Sequence, residues 1–499
     1  MSISEENVRI REKSSIVRYF LKEGLQVSPK ALDIIVNLIY QGIEINKIIQ
    51  FFEERKIKIV TKEKLRDFLL FKEKGNFSEV NKIRKRCHIS IVRDFSLCKY
   101  KTASIQGFVK YFNSRFKKLR KILEERIDAK RILTIEEIKR NYERRGNLQE
   151  VRTISIITEI KTDNKGKNII LTLEDSTGEI KGILNNNMYL IEKTPPILDS
   201  VVLIKGHIVR RDLLKVEGIE FPDIPTNKII KKSDDDVAAV FISDIHIGSK
   251  EFLESPFKNF LKWINQKYGN EDLKNLASKI GFLLIGGDLV DGIGVYPNQD
   301  EDLIIKDIFE QYEYAANLLS EIPKDIKIVI IPGNHDPTLQ ALPQPKIPEE
   351  YAKALYKMKN VIMLGNPSLI EINNVRVLMA HGRSLEDIMN AVPNLKVNKP
   401  ERIMMYLLKV RHLAPIWGGK TPIAPCEDDP LVIEEIPEIF HMGHLHVNGI
   451  GKYRNVIIIN SGCFQAQTDY QRLSGIDPTP GIVTVVNLKT FQINSIKFS

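Results

Sequence analysis

The sequence predicts an α/β fold over its second half, preceded by a small β-barrel and a helical N-terminal region. Three observations lead to this. Between residues 237 and 499, short apolar segments (AVFIS, FLLIG, KIVIIP, VRVLMA, IPEIFHM, NVIIIN) alternate with helix-length amphipathic stretches, as strands joined through helices do. Between 147 and 225 the apolar residues alternate at period two, the signature of half-buried strands. Over the first 75 residues the apolar spacing is helical instead.

The elements follow in order. In residues 1–75, Ser28-Pro29 reads as a cap with proline in the first turn, followed by ALDIIVNLIY, INKIIQFFEERK and TKEKLRDFLLF. Ile48, Phe51 and Phe52 have the spacing of a sliding-clamp-binding box, although Ile45 stands where its glutamine should be. Plain helix packing explains the same three residues. Residues 76–146 read as a basic, flexible linker. From Asn81 to Lys121 there are 13 Lys and Arg against one acid, Asp94, interleaved with Tyr100, Phe108, Tyr111, Phe112 and Phe116. Such a block repels itself, and its aromatics also suit single-stranded nucleic acid. Residues 147–225 hold about five short strands split by KTDNKGK and DSTGE turns, which fits a Greek-key barrel of the OB type. The barrel offers only Tyr189 and Phe221 for stacking bases. After the acidic run Ser233–Asp236, the α/β domain occupies 237–499.

Composition excludes several classes. The chain of 499 residues is 43% apolar and 28% charged, ordinary for a globular protein. Residues 1–150 carry 35 basic and 20 acidic side chains, and the remainder carries 39 and 44. One end is therefore suited to an anionic partner and the other is not. Cys87, Cys98, Cys426 and Cys463 lack paired spacing, so neither a disulfide framework nor a zinc ribbon is expected. The N-terminus MSISEENVRIREKSS has no apolar core of a signal peptide, and no apolar run nears the ~20 residues of a membrane span. A cytoplasmic location is expected. No G-x-x-x-x-G-K-[ST] loop is present, so ATP hydrolysis is not.

Five strand ends in the α/β region carry ligand-type side chains. They are Ser243-Asp244-Ile245-His246, Gly286-Gly287-Asp288-Leu289-Val290-Asp291, Gly333-Asn334-His335-Asp336, Ala380-His381-Gly382 and Met442-Gly443-His444-Leu445-His446. A D-x-H or H-x-H pair projects alternate side chains from one strand end toward one point. A mixture of imidazole, carboxylate and one amide suits Mn, Fe or Zn better than an all-oxygen Mg site. Five of the nine histidines fall in this pattern; His88, His207, His412 and His441 read as structural. Asp291 and Asp336 read as partners that orient imidazoles, and Cys463 as a small buried residue near the site.

This succession resembles the calcineurin-like metallophosphoesterases, over the stretch from Asp244 to His446. The resemblance implies a sandwich of two sheets flanked by helices and a two-metal site. Asp244, His246, Asp288 and His446 would hold one divalent ion. Asp288 would bridge, and Asn334, His381 and His444 would hold the other. His335 would act as a catalytic residue without ligating. Manganese is the first expectation, with iron, zinc or magnesium as alternatives. Two such ions clamp a scissile phosphate and activate water for in-line attack.

The repair nucleases of that family begin almost at the D-x-H motif and carry a histidine three residues after the G-D aspartate; here Asp244 is preceded by three regions and Asp291 stands in that place. A barrel joined to such a domain is the layout of replicative polymerase B-subunits. Those of eukaryotes lose ligands, whereas this chain keeps all seven. The chain is thus similar to the small subunits of archaeal family D DNA polymerases. That implies a 3′→5′ proofreading exonuclease acting with a large catalytic polymerase subunit on DNA. A free-standing repair nuclease and a non-catalytic assembly subunit remain as alternatives; the intact His335 speaks against the second.

Overall fold

In the computed structural model, the described residues are 3–40, 43, 45–55, 57–69, 86–95, 104–126, 132–146, 150–163, 165–185 and 195–498. The chain divides into two units, Met1–Lys82 and Ile83–Ser499.

In the first unit, helical periodicity yields α1 (Ile3–Lys22), α2 (Pro29–Tyr40) and α3 (Ile45–Glu54). Two short parallel strands, β1 (Gln26–Val27) and β2 (Ile59–Val60), tie them together. Phe20, Ile35, Ile48, Phe52 and Val60 are fully buried and Phe51 nearly so, forming one core. Ile48, Phe51 and Phe52 are therefore packing residues. A clamp-binding box needs its aromatics in solvent, and these have none to offer.

The second unit begins inside the stretch expected to be a basic linker, and here the expectation fails. Residues 86–95 include β3 (Ile89–Asp94), which pairs antiparallel with a strand near residue 370. α4 (Ile105–Glu124) is capped by Ser104, whose hydroxyl accepts from the Gly107 N–H at 3.1 Å. α4 buries Gly107, Tyr111, Arg115, Leu119 and Leu123, a stripe at spacing four that faces the fold, while Lys110, Lys117 and Lys121 face water and Lys118 pairs with Asp428 and Glu434. α5 (Ile135–Arg145) starts with a Thr134–Glu137 capping box. Its Ile135 and Ile138 pack into the barrel core. Tyr100 and Cys98 lie outside the described residues.

The alternating segment forms a closed five-stranded barrel in the order β4-β5-β6-β8-β7. Its strands are β4 (Glu150–Thr162), β5 (Asn168–Asp175), β6 (Gly178–Asn185), β7 (Val201–Arg210) and β8 (Leu213–Glu220). Period-two residues such as Leu171, Leu173, Val202, Ile204 and Leu214 fill its interior. Phe221 is buried against Tyr406, and Tyr189 lies outside the described residues.

The apolar segments then build two six-stranded sheets. The first contains β9 (Ala238–Ile242), β10 (Ile280–Ile285), β11 (Lys327–Ile330), β12 (Val361–Met363), β18 (Ile482–Asn487) and β19 (Ile493–Lys497), in the order β12-β11-β10-β9-β18-β19. β9 through β12 are parallel. The second sheet contains β13 (Ser368–Ile372), β14 (Val375–Met379), β15 (Ile439–Met442), β16 (Gly449–Tyr453) and β17 (Val456–Asn460), in the order β16-β17-β15-β14-β13-β3. Phe241, Phe282, Leu284 and Val329 of one sheet interlock with Ile370, Val377, Met379, Ile439 and Ile459 of the other. Both faces of the inner strands are covered, so they read as continuous apolar runs. The loops leaving β9, β10, β11, β14 and β15 carry the ligand-type residues.

Cys87 and Cys463 are buried and outside any disulfide, but Cys426 is in one. The sequence gives no sign of this bond, since spacing along the chain says nothing of distance across the fold. Among the described residues, no helix is long and apolar enough to cross a membrane.

Candidate metal centre

Each strand ends in a tight backbone turn that aims polar side chains into the interior. Asp244, His246, Asp288, His444 and His446 all have left-handed backbone, with φ of 52°, 54°, 50°, 69° and 58°. Asp and His tolerate this region better than most residues. Gly333 is required by close approach: a Cβ there would run into Asp288 Oδ1 and the Asp288 backbone nitrogen.

These turns bring all seven predicted ligand residues together. Ligand-type atoms of Asp244, His246 and His446 lie within 4.8 Å of one another, as do those of Asp288, His381 and His444. A third such set, His246, Asp288 and His335, joins the two. His246 Nε2 faces His446 Nε2 at 3.2 Å and lies 3.8 Å from Asp288 Oδ2, while His446 Nε2 is 3.5 Å from Asp244 Oδ1. On the other side, His381 Nε2 is 3.2 Å from Asp288 Oδ2 and 3.0 Å from Asn334 Oδ1. Asp288 thus touches both halves.

The electrostatics show what such an arrangement needs. Asp244, Asp288, His246 and His381 are all at most 2% exposed. Among the described residues, no lysine or arginine pairs with either carboxylate. Burial pushes the Asp244 carboxyl up, and the neighbouring Asp288 charge adds to that. Asp288 is held well below the usual range, because His381 and His335 outweigh its burial. His246 and His381 are each raised to about 9: burial opposes the charge, but Asp291 and Asp288 respectively overcome it. His381 Nδ1 donates to the Gly286 carbonyl at 3.0 Å. Its Nε2 therefore confronts two oxygen acceptors, and a proton or a metal ion must sit there to reconcile them. A buried set of two carboxylates, four imidazoles and one amide fits two divalent ions.

Partners behind the ligands hold them in place. Asp291 Oδ1 accepts from His246 Nδ1 at 2.9 Å, and Gln299 and Gln465 donate to the same carboxylate, as the sequence led one to expect of Asp291. Asp336 differs. It accepts from Tyr312 Oη at 2.6 Å and from the Gly333 N–H at 2.8 Å, and so braces the Gly333–His335 turn instead of orienting an imidazole. Burial raises it to about 6. Two residues escaped sequence reading. Glu386 Oε1 accepts from His444 Nε2 at 3.2 Å, and this bond, with Lys420 behind it, holds the carboxyl down at about 2. The Gln471 amide lies 2.8 Å from His446 Nδ1. Neither follows a strand, and nothing local in the sequence marks them.

His335 sits among the ligands with its ring 4.6 Å from that of His246. Its Nδ1 donates to the Asp291 carbonyl at 2.7 Å, leaving Nε2 as the free edge. Outside the cluster, His412 pairs with Asp429, His441 with Ser461 and His207 with Glu217, while the His88 backbone N–H meets Asn373. Cys463 is buried with its Sγ toward the Gln465 carbonyl.

Known proteins bear on this centre. The profile of the DNA polymerase alpha/epsilon B-subunit family matches residues 239–448. The DNA polymerase II small subunit of Methanothermobacter thermautotrophicus is 43% identical over 399 residues, 80% of this chain and 80% of that one. Its counterpart in Archaeoglobus fulgidus is 37% identical over 483 residues, 95% and 96% of the two chains. That of Pyrococcus furiosus is 42% identical over 392 residues, covering 78% of this chain and 63% of the relative. Among solved structures, vacuolar protein sorting 29 from Cryptosporidium parvum aligns with a TM-score of 0.26 and 13% identity, over 53% of this chain and 97% of that one, too distant a likeness to carry an argument.

Proposed function

The chain belongs to the family of DNA polymerase II small subunits, and from that premise we propose that it is the metal-dependent 3′→5′ exonuclease of a replicative polymerase, removing mismatched nucleotides in complex with a large catalytic subunit. The observation that carries this reading is the convergence of Asp244, His246, Asp288 and His446 beside Asn334, His381 and His444, with Asp288 common to both sets. We read the two packed sheets as a calcineurin-like sandwich and the closed barrel as an OB fold, a scaffold for the partner subunit more than a platform for DNA. The five-stranded closure and the facing six-stranded sheets support both readings.

Asp244, His246, Asp288 and His446 would hold one divalent ion, and Asp288, Asn334, His381 and His444 the other. Manganese suits this donor set. When bound, the ions neutralise the phosphodiester and lower the pKa of the attacking water. The rest falls to the chain's own residues. Asp291 and Glu386 fix the faces of His246 and His444. The backbone bond from the Gly333–His335 turn to Asp288 (His335 N–H to Oδ1, 2.8 Å) locks the bridge. His335 Nε2 is the free edge that, once protonated, gives its proton to the departing O3′. The water oxygen bonds to phosphorus, the P–O3′ bond breaks, and the terminal nucleotide leaves as a 5′-monophosphate.

The test is Mn²⁺-dependent shortening of a 5′-labelled oligonucleotide, with metal analysis of the same preparation. A ladder shrinking from the 3′ end is expected. Shortening only from the 5′ end would remove the proofreading role, and absence of bound metal would remove the mechanism.

A further inference from the structure

Tyr296 stands on the loop after Asp291, with its ring centroid 6.4 Å from that of His335 and an interplanar angle of 66°. It is 40% exposed and belongs to none of the hydrophobic cores. Yet it is not loose. Its hydroxyl donates to Asp302 Oδ2 at 3.0 Å. The adjacent Val295 N–H donates to Gln299 Oε1 at 2.8 Å, and Gln299 in turn donates to Asp291, the carboxylate that holds His246. An aromatic ring is thus fixed relative to the metal-ligand cluster and presents a partly exposed face.

The surroundings narrow what that face can meet. Asp300, Glu301 and Asp302 lie on the same exposed loop, so a phosphate backbone would be repelled there. An uncharged, flat group would not. We propose that Tyr296 is a substrate-contacting residue that stacks the nucleobase on the leaving-group side of the scissile phosphate. Because His335 Nε2 faces the departing oxygen in the function proposed above, the nucleoside that carries that oxygen comes against Tyr296. For a strand cut from its 3′ end this is the penultimate nucleoside. The inference rests on that reading of the site and adds a specificity element to it: a base that has swung out of the duplex can reach the ring, and a paired one cannot.

Base stacking on an aromatic side chain accounts for roughly 10- to 100-fold in affinity. The experiment compares the full chain with Tyr296→Ala and Tyr296→Phe on oligonucleotides that carry an abasic site at the penultimate or the terminal position. On unmodified DNA, Tyr296→Ala should raise KM by about 10- to 100-fold with a smaller change in kcat, and Tyr296→Phe should stay near wild type. With the penultimate base missing, wild type and Tyr296→Ala should converge; with the terminal base missing, their difference should persist. An equal loss on every substrate, or none on any, overturns the proposal. A second readout needs no cleavage: 2-aminopurine at the penultimate position of an oligonucleotide with a phosphorothioate end should be quenched by wild type and Tyr296→Phe but not by Tyr296→Ala. Equal quenching by all three overturns the proposal. Quenching by a wild-type chain that leaves both DNA and methyl p-nitrophenyl phosphate intact would support the stacking assignment and overturn the nuclease reading.

Discussion

Replacing Arg115 by methionine should unfold much of what anchors α4 to the rest of its unit. The Arg115 guanidinium Nε donates to Asp429 Oδ2 at 2.8 Å, with the two side chains 1% and 0% exposed. Its Nη1 donates to the Pro415 carbonyl at 2.7 Å. His412 Nε2 donates to the same Asp429 oxygen at 2.9 Å, because His412 Nδ1 already accepts from the Ala414 N–H. Burial and the nearby guanidinium hold His412 down at about 4, so it is neutral at pH 8. Methionine keeps the volume and removes the cation, which leaves Asp429 buried with two N–H donors, from His412 and Leu431, and no counter-charge. Breaking a buried pair from one side costs about 3–5 kcal/mol. The sign with pH is fixed too. In wild type the unfolded histidine binds its proton before the folded one, so stability falls as pH drops from about 6.5 toward about 4. Without Arg115 the folded His412 takes up a proton to neutralise Asp429, and the variant should lose less than wild type across that window. Trp417, which packs on Phe108 and Phe112 of α4 at 5.5 and 5.8 Å, reports the docking by fluorescence once the chain's other tryptophan, Trp263, is made phenylalanine. A variant that melts within about 1 kcal/mol of wild type at pH 8, with a parallel pH profile, would refute this account of how the helix is held.

Asp288→Asn should lose both ions and all nuclease activity, since Asp288 is the residue assigned to both ions and lies beside His246 on one side and His381 on the other; metal analysis showing two ions retained would contradict the shared role. His335→Ala removes no proposed ligand, so metal content should stay near two while turnover falls by about 10²–10⁴-fold; a parallel loss of metal would make it a ligand. Gly333→Ala should be less stable and bind metal weakly at both sites, because its methyl meets both the Asp288 carboxylate and the Asp288 backbone nitrogen; thermal melting and isothermal titration with Mn²⁺ would show the two losses, and wild-type affinity at both sites would contradict the close approach.

The cluster was legible in the sequence because its signal is local. Each ligand-type residue sits within a few positions of an apolar strand, and the strand itself, as with FLLIG before Asp288, says where the chain turns. The alternating strands of the barrel could be read for the same reason. α4 could not be read this way, although the spacing of Tyr111, Arg115, Leu119 and Leu123 lay in plain view. Counting 13 positive charges against one over the segment averages two faces of a helix into one composition. The charge that matters most, Arg115, is compensated by Asp429, 314 residues away. β3 was missed on similar grounds: its pairing partner, β13, lies far along the chain, and a short edge strand has no periodicity of its own to announce it. Glu386 and Gln471 join the cluster from outside the strand ends, where no pattern of spacing points inward.

The left-handed turns have a consequence for how this centre persists through mutation. Five of its residues, Asp244, His246, Asp288, His444 and His446, hold positive φ, and each such position costs an L-residue on the order of 1 kcal/mol relative to glycine. Together that is roughly 5 kcal/mol, comparable with the whole net stability of many domains. Glycine at any of the five would relieve backbone strain, and at Asp244 it would also remove a carboxylate whose charge burial disfavours. Random drift under a demand for stability alone runs downhill, away from these residues, and erases the centre without harming the sheets beneath it. A lineage that keeps them does so against a standing thermodynamic gradient, and only a use for the ions supplies the opposing force. Inactive descendants of this fold should therefore melt higher than their active ancestors, with glycines at the strand ends.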